Sequence, residues 1–180
     1  PGVRWLRAAP HARGRLWHTG LPQLEPCGTA DVAGIETIAW DHDRATFVVG
    51  TADGALVHVE PRDDGLHRSR REGVGARVLA SVPGLLAVGD ASVAVRAGAA
   101  GDFVPLGATN ELWSLAIAAD GTRIACGADN RRLRLLDRTG REVLVLDDSP
   151  RPLTRLAFVA GGKRLVGLGW VNGAICYVMV

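Results

Sequence analysis

The chain nearly repeats itself. The run IETIAWDHDRATFVVGTADGALVHVE, starting at Ile35, lies over LWSLAIAADGTRIACGADNRRLRLLD, starting at Leu112, without a gap. Thr37 falls on Ser114, Ile38 on Leu115, Ala39 on Ala116, Asp43 on Asp120, Gly50 on Gly127 and Leu56 on Leu133, a constant offset of 77 residues. That is two units of a ~40-residue repeat, a period at which chains build propellers or solenoids. Such a repeat constrains the fold more than a single motif does, because each unit has to bury its apolar faces against its neighbours. It also weakens the case for an enzyme, since the recurring positions are those a stacked β-sheet needs.

Two further copies complete the pattern. RLAFVAGGKRLVGLGWVNGAICYVMV (Arg155 to Val180) fits the template with one inserted residue near Leu168, so that Ala157 stands for Ala116, Gly162 for Gly121 and Ile175 for Leu56. A worn copy, RVLASVPGLLAVGDASVAVRA (Arg77 to Ala97), has its first turn reduced to Pro83-Gly84. Equivalent residues Ile38, Leu79, Leu115 and Leu156 are separated by 41, 36 and 41 residues.

Each copy reads as strand, turn, strand, turn, strand. In the third, Trp113 to Ala118, Arg123 to Gly127 and Leu133 to Leu136 are apolar runs separated by Ala119-Asp120-Gly121 and Asp129-Asn130. Gly and Asn tolerate positive φ at low steric cost and so favour tight turns. Short runs rich in Val, Ile and Leu between such turns are strands. Glu142 to Leu146 supplies a fourth, outer strand, and little in the chain looks helical. Stretches such as Arg164 to Leu168 and Gly84 to Val88 hardly alternate, which predicts sheets buried on both faces. Small residues at Ala39, Ala116 and Ala157 let inner strands crowd round a common axis. The expected fold is therefore all-β, a β-propeller of about four blades.

The third copy resembles the WD-repeat β-propeller family, whose units carry a turn Asp-Gly after the first strand, a small-Gly-small run in the second and an aromatic-Asp pair ending the third. Asp120-Gly121, Cys126-Gly127-Ala128 and Leu136-Asp137 hold those positions. The resemblance covers Ile35 to Val180. No copy ends its third strand on Trp-Asp or carries Gly-His before its first, so the family's His–Asp network is not carried over. The expected division is a 1–34 extension followed by blades at about 35–75, 76–110, 111–150 and 151–180.

Four blades stand at the lower end of what propellers use, and an open partial ring would expose strand edges and an apolar face. Three completions follow: a longer polypeptide of which this is a fragment (the favoured reading), a second copy forming a homodimer, or closure with the help of residues 1–34. That leading segment holds two strand-like pieces, Val3 to Leu6 and Arg15 to Thr19, one of which is expected as an outer strand or the whole as a surface extension.

Composition sets limits. A hydrophobic content of 47% with 22% charge is ordinary for a globular domain. Net charge is +2, which gives no global drive towards nucleic acid or a membrane. Lys163 is the sole lysine, and the Arg, Ala and Gly bias suggests a GC-rich, bacterial coding sequence. No apolar run nears the ~18 residues of a membrane span. Cys27, Cys126 and Cys176 are odd in number and read as core residues in a reducing compartment, the cytoplasm.

Chemistry-bearing patterns are sparse. The histidines (His11, His18, His42, His58, His67) have no metal-ligand spacing, and neither a GxSxG elbow nor a phosphate loop is present. Asp41 and Asp43 flank His42 in a predicted turn, as local backbone bonding requires. The basic run HRSRRE, His67 to Glu72, reads as a solvated loop after the third strand of the first blade, with an anionic protein partner as the sharper alternative. No catalytic, metal or cofactor site is expected.

Binding remains. The loops between second and third strands and those between blades gather on one face of a propeller. The repeat maps Asp53, Asp129, Asn130, Arg131, Trp170 and Asn172 to the former, and Asn110, Glu111, Trp113 and Arg151 to the latter. Exposed Trp and Arg beside polar residues make anchors for a protein or peptide partner, or for another part of the same polypeptide. Turn chemistry alone also explains Asp53 and Asn130. The expected function is a non-catalytic scaffold, an accessory or sensor module of a larger signalling or defence protein. The alternative is a ligand-binding or catalytic site at the central channel.

Overall fold

The computed structural model describes residues 14–20, 25–147, 149, 152–169 and 175–179. Val3 to Leu6, Arg151, Trp170 and Asn172 lie outside these. The chain is all-β, with no helix among the described residues. An antiparallel pair, β1 (Gly14–Gly20) and β2 (Glu25–Val32), leads. The first sheet holds β3 (Ile35–Asp41), β4 (Thr46–Thr51), β5 (Ala55–Arg62) and β6 (Gly65–Gly73). The second holds β7 (Val78–Val82), β8 (Leu85–Gly89), β9 (Ser92–Ala97) and β10 (Val104–Ala108). The third holds β11 (Leu112–Ile117), β12 (Arg123–Ala128), β13 (Leu133–Asp137) and β14 (Glu142–Leu146). The fourth has three described strands, β15 (Leu153–Val159), β16 (Arg164–Gly169) and β17 (Ile175–Met179). Every sheet is an antiparallel meander in chain order, the arrangement that short turns between neighbouring strands permit.

The turns are those the sequence chemistry allows. Pro83-Gly84 joins β7 to β8 with Gly84 at φ 81°, where a Cβ would be strained. Asp41 closes β3 by accepting the backbone N–H groups of Asp43 (3.2 Å) and Arg44 (3.3 Å) through one carboxylate oxygen.

The sheets stack face to face, and the second strands lie at the centre of each stack. β4 and β8 are buried along their whole lengths, and β12 is buried from Ile124 onward. Val48, Leu56, Ala76, Leu86 and Val88 fill the space between the first and second sheets. Leu85, Ala87 and Val93 meet Leu115, Ile124 and Cys126 between the second and third. Ala116, Ala125 and Leu135 meet Leu153 and Leu165 between the third and fourth. Burying each such Leu or Val contributes ~1.5–3 kcal/mol relative to exposure. The fully apolar β8 is thus explained, since it needs hydrophobic side chains on both faces; the other such run, Arg164 to Leu168 in β16, instead alternates in burial, with Leu168 exposed. On its other side the first sheet is covered by the leading pair, where Ala30 and Val32 pack on Phe47, Val49, Val57, Val59 and Leu66. The strand-like piece Arg15 to Thr19 falls within β1, whose described hydrogen-bonding partner is β2.

One expectation is overturned. The basic run His67 to Glu72 is not a loop but lies in β6, paired with β5 from Arg62↔Gly65 to Ala55↔Gly73. Its polarity hides the strand because β6 is the outer strand of its sheet, exposed along most of its length. An outer strand has only one neighbour and needs few apolar side chains.

Candidate functional site

The first strands of successive sheets lie side by side, β3 against β7, β7 against β11 and β11 against β15. Together they line one cavity of about 740 Å³. In β3, β11 and β15 the pairing skips one residue near the start: Glu36, Trp113 and Thr154 are the bulged positions. Arg77, just before β7, occupies the corresponding place. A bulge turns a side chain away from the regular alternation, and all four of these residues line the cavity. The core positions around them repeat; this one is Glu, Arg, Trp and Thr in turn. The difference in each copy is a signal the sequence already held, although only Trp113 was singled out from it.

Arg77 is tied across this cavity mouth. Its guanidinium lies 3.0 Å from Glu111 and 3.8 Å from Asp90. Glu36 is exposed and makes no hydrogen bond or ion pair among the described residues. Ser114, buried beside Trp113, donates its hydroxyl to the carbonyl of Leu153 at 2.6 Å, fastening the third sheet to the fourth.

The described loop residues gather at the same end of the sheets, where first strands begin and second strands finish. Asp129 N–H donates to the Glu111 carbonyl at 3.0 Å, joining the β12–β13 turn to the connection before β11. Asn130 accepts the Arg132 N–H at 3.1 Å, and Arg131, at φ 63°, accepts Ser149 N–H on its carbonyl at 3.2 Å. Asn110 and Asn130 border a smaller cavity of about 200 Å³ with Arg132 and Arg134. Asp53 accepts the Thr51 hydroxyl at 2.5 Å and pairs with Arg71. The Thr51 hydrogen bond, and after it the Arg71 charge, hold its carboxyl below the usual range. Asp53 and Asn130 therefore do the work of their own turns, while Asn110, Glu111 and the Arg131 side chain stand exposed. Arg151, Trp170 and Asn172 lie outside the described residues.

Two polar clusters went unnoticed in the sequence. Arg96 on β9 and Asp41 on β3 form an ion pair with side-chain exposures of 1% and 2%. Nearby, His58 (2% exposed) lies 2.9 Å from Glu72. Burial keeps the His58 imidazole below its ordinary pKa against the pull of Glu72, with Arg44 and Arg96 adding to the depression. The Cys126 thiol is buried and its pKa pushed up to about 12 by desolvation, which leaves it unreactive near neutrality. No group of three or more His, Cys, Asp or Glu able to hold a metal exists among the described residues. No described helix is long and apolar enough to cross a membrane. No protein-family model matches this chain, and no curated protein matches it either.

Proposed function

We propose that this chain is a β-propeller module of the WD-repeat type that recognises a protein or peptide partner and has no catalytic role of its own. The observation that carries the reading is the shared cavity bordered by the first strands of all four sheets, with variable side chains at its mouth. Repeated sheets form the scaffold, and the residues the scaffold does not need, Glu36, Asn110, Glu111, Trp113 and Arg131, stand at one end of it. An accessory or sensor role within a longer bacterial cytoplasmic protein fits a module of this kind, as does completion of the ring by a second copy. Pull-down of partners from a lysate with the full chain, compared with Trp113→Ala and Arg131→Ala, tests the proposal. Loss of the same partner in both variants, with melting temperature kept, is the expected result. Unchanged recovery would overturn it.

The cavity volume of about 740 Å³ also favours a second reading, a small ligand held in the central channel. A ligand that binds only the folded chain raises the melting temperature, further as its concentration climbs above its Kd. A flat thermal screen would remove this second reading and leave the first intact.

A further inference from the structure

Away from that end, the outer half of the first sheet walls a separate cavity of about 630 Å³, lined by Arg44, Thr46, His58, Glu60, Ser69 and Arg70 among others. Two observations distinguish it from an ordinary surface cleft. The first is an imbalance of charge. Arg44 Nη1 at 3.5 Å, His58 Nε2 at 2.9 Å and Arg70 Nε at 3.1 Å all approach one oxygen, Oε1 of Glu72. One carboxylate offsets only one of the two guanidinium charges, and Arg44 places a further donor, Nε, on the Ala99 carbonyl at 2.7 Å. The other acid in the wall is already engaged: Glu60 pairs with Arg62 at 3.0 Å and accepts the Ser69 hydroxyl. Arg96, behind His58, is matched by Asp41. The second observation is an orphan: the Thr46 hydroxyl, on a residue 7% exposed, has no hydrogen-bond partner among the described residues. Buried hydroxyls are nearly always bonded. Thr46 follows Ala45, a non-glycine residue at φ 51°, and sparsely populated backbone of this kind gathers at ligand sites.

We propose that this cavity binds a tetrahedral oxyanion, a phosphate either free or carried on a phosphorylated side chain. Arg44 and Arg70 supply charge-assisted N–H donors and Thr46 supplies the hydroxyl, while neutral His58, its Nε2–H given to Glu72 at 2.9 Å, holds that carboxylate in place. Guanidinium groups with unused donors match phosphate oxygens in number and spacing. The anion relieves the crowding on Glu72 by giving the cations a second acceptor. This also gives a use to the basic strand β6, which the loop reading left as a solvated run.

The test is a ³¹P NMR titration of the full chain at constant ionic strength, using inorganic phosphate in one arm and a phosphoserine peptide in the other. Saturable line broadening is expected, weakened ~10-fold or more in Arg70→Ala and in Arg44→Gln, the loss of one charge-assisted bond. Arg70 is 59% exposed in its side chain, so its variant keeps the fold and the assay stays decisive even where Arg44→Gln does not. Tighter binding of the phosphopeptide would make a phosphorylated side chain the occupant, and equal or weaker binding the free ion. No saturable broadening in either arm, or broadening unchanged in Arg70→Ala, would overturn the site.

Discussion

Arg96 of the second sheet and Asp41 of the first form an ion pair out of contact with solvent, linking β9 to the end of β3. Arg96 also donates through Nε to the Gly98 carbonyl at 3.2 Å and lies 5.4 Å from the Phe103 ring centroid. Two charges so deeply buried are matched to each other, and removing one strands the other in a low-dielectric interior. Arg96→Ala is expected to lose ~3–5 kcal/mol of unfolding free energy. Arg96→Met combined with Asp41→Asn should recover much of that, since no net charge is then buried. Urea unfolding measures both, and a loss under ~1 kcal/mol, the range of a surface pair, would contradict the finding.

Gly50, Gly89 and Gly127 hold one register in three sheets, opposite Thr37, Val78 and Ser114. A Cβ on Gly50 would stand 1.8 Å from the Ala76 carbonyl oxygen, and one on Gly127 2.6 Å from Ser114 Oγ and 3.0 Å from the Leu153 oxygen. Backbone blocks the first and a movable hydroxyl much of the second. Gly50→Ala should therefore cost more than the ~1–3 kcal/mol of ordinary overpacking, and Gly127→Ala should fall within it. Equal melting temperatures for the two variants would refute the ordering.

Cys126 is expected to resist alkylation in the folded protein. Its thiol is 1% exposed and desolvated to a pKa of about 12. Peptide-resolved mass spectrometry after iodoacetamide treatment near pH 8 should find Cys126 modified only once denaturant is added. Rapid modification in native buffer would mean that the space between the second and third sheets opens readily.

His58 gives the fold an acid sensitivity whose sign follows from its depressed pKa. As pH falls through about 6.5, the unfolded chain takes up a proton that the buried imidazole refuses. The contribution of neutral His58 is therefore whole above that value and declines as pH drops towards its lower folded pKa. His58→Gln should flatten this part of a stability profile measured between about pH 5.5 and 7.5. A variant with the parent's slope would place the sensitivity elsewhere.

The repeat made the sheets legible because apolar runs and turn residues recur at a fixed offset. Glu142 to Leu146 is the strand β14, and of the small residues singled out on the first strands Ala116 and Ala39 pack between sheets, whereas Ala157 is exposed. Strands without that apolar mark were lost: β6 carries four arginine or histidine residues, and β10 is largely exposed. The buried polar cluster was also illegible, because Asp41 and Arg96 come together only when sheets stack, and His58 and Arg44 only when the strands of the first sheet pair. Of the site, the end-face loops followed from the template. Of the bulged side chains only Trp113 was singled out: the change of residue type from copy to copy was visible, but the register skip that turns these side chains is a property of pairing.

The glycine register has a further consequence at the fourth sheet, where Leu168 pairs with Arg155 in the place that Gly127 takes opposite Ser114. In the first and third sheets the missing side chain lets the succeeding backbone, at Ala76 and Leu153, come almost into touch, and in the second it admits the Leu112 side chain. Leu168, 38% exposed, is a spacer instead. That face therefore presents an isobutyl group where the inner sheets leave room for a neighbour, and it differs in kind from the three joints inside the stack.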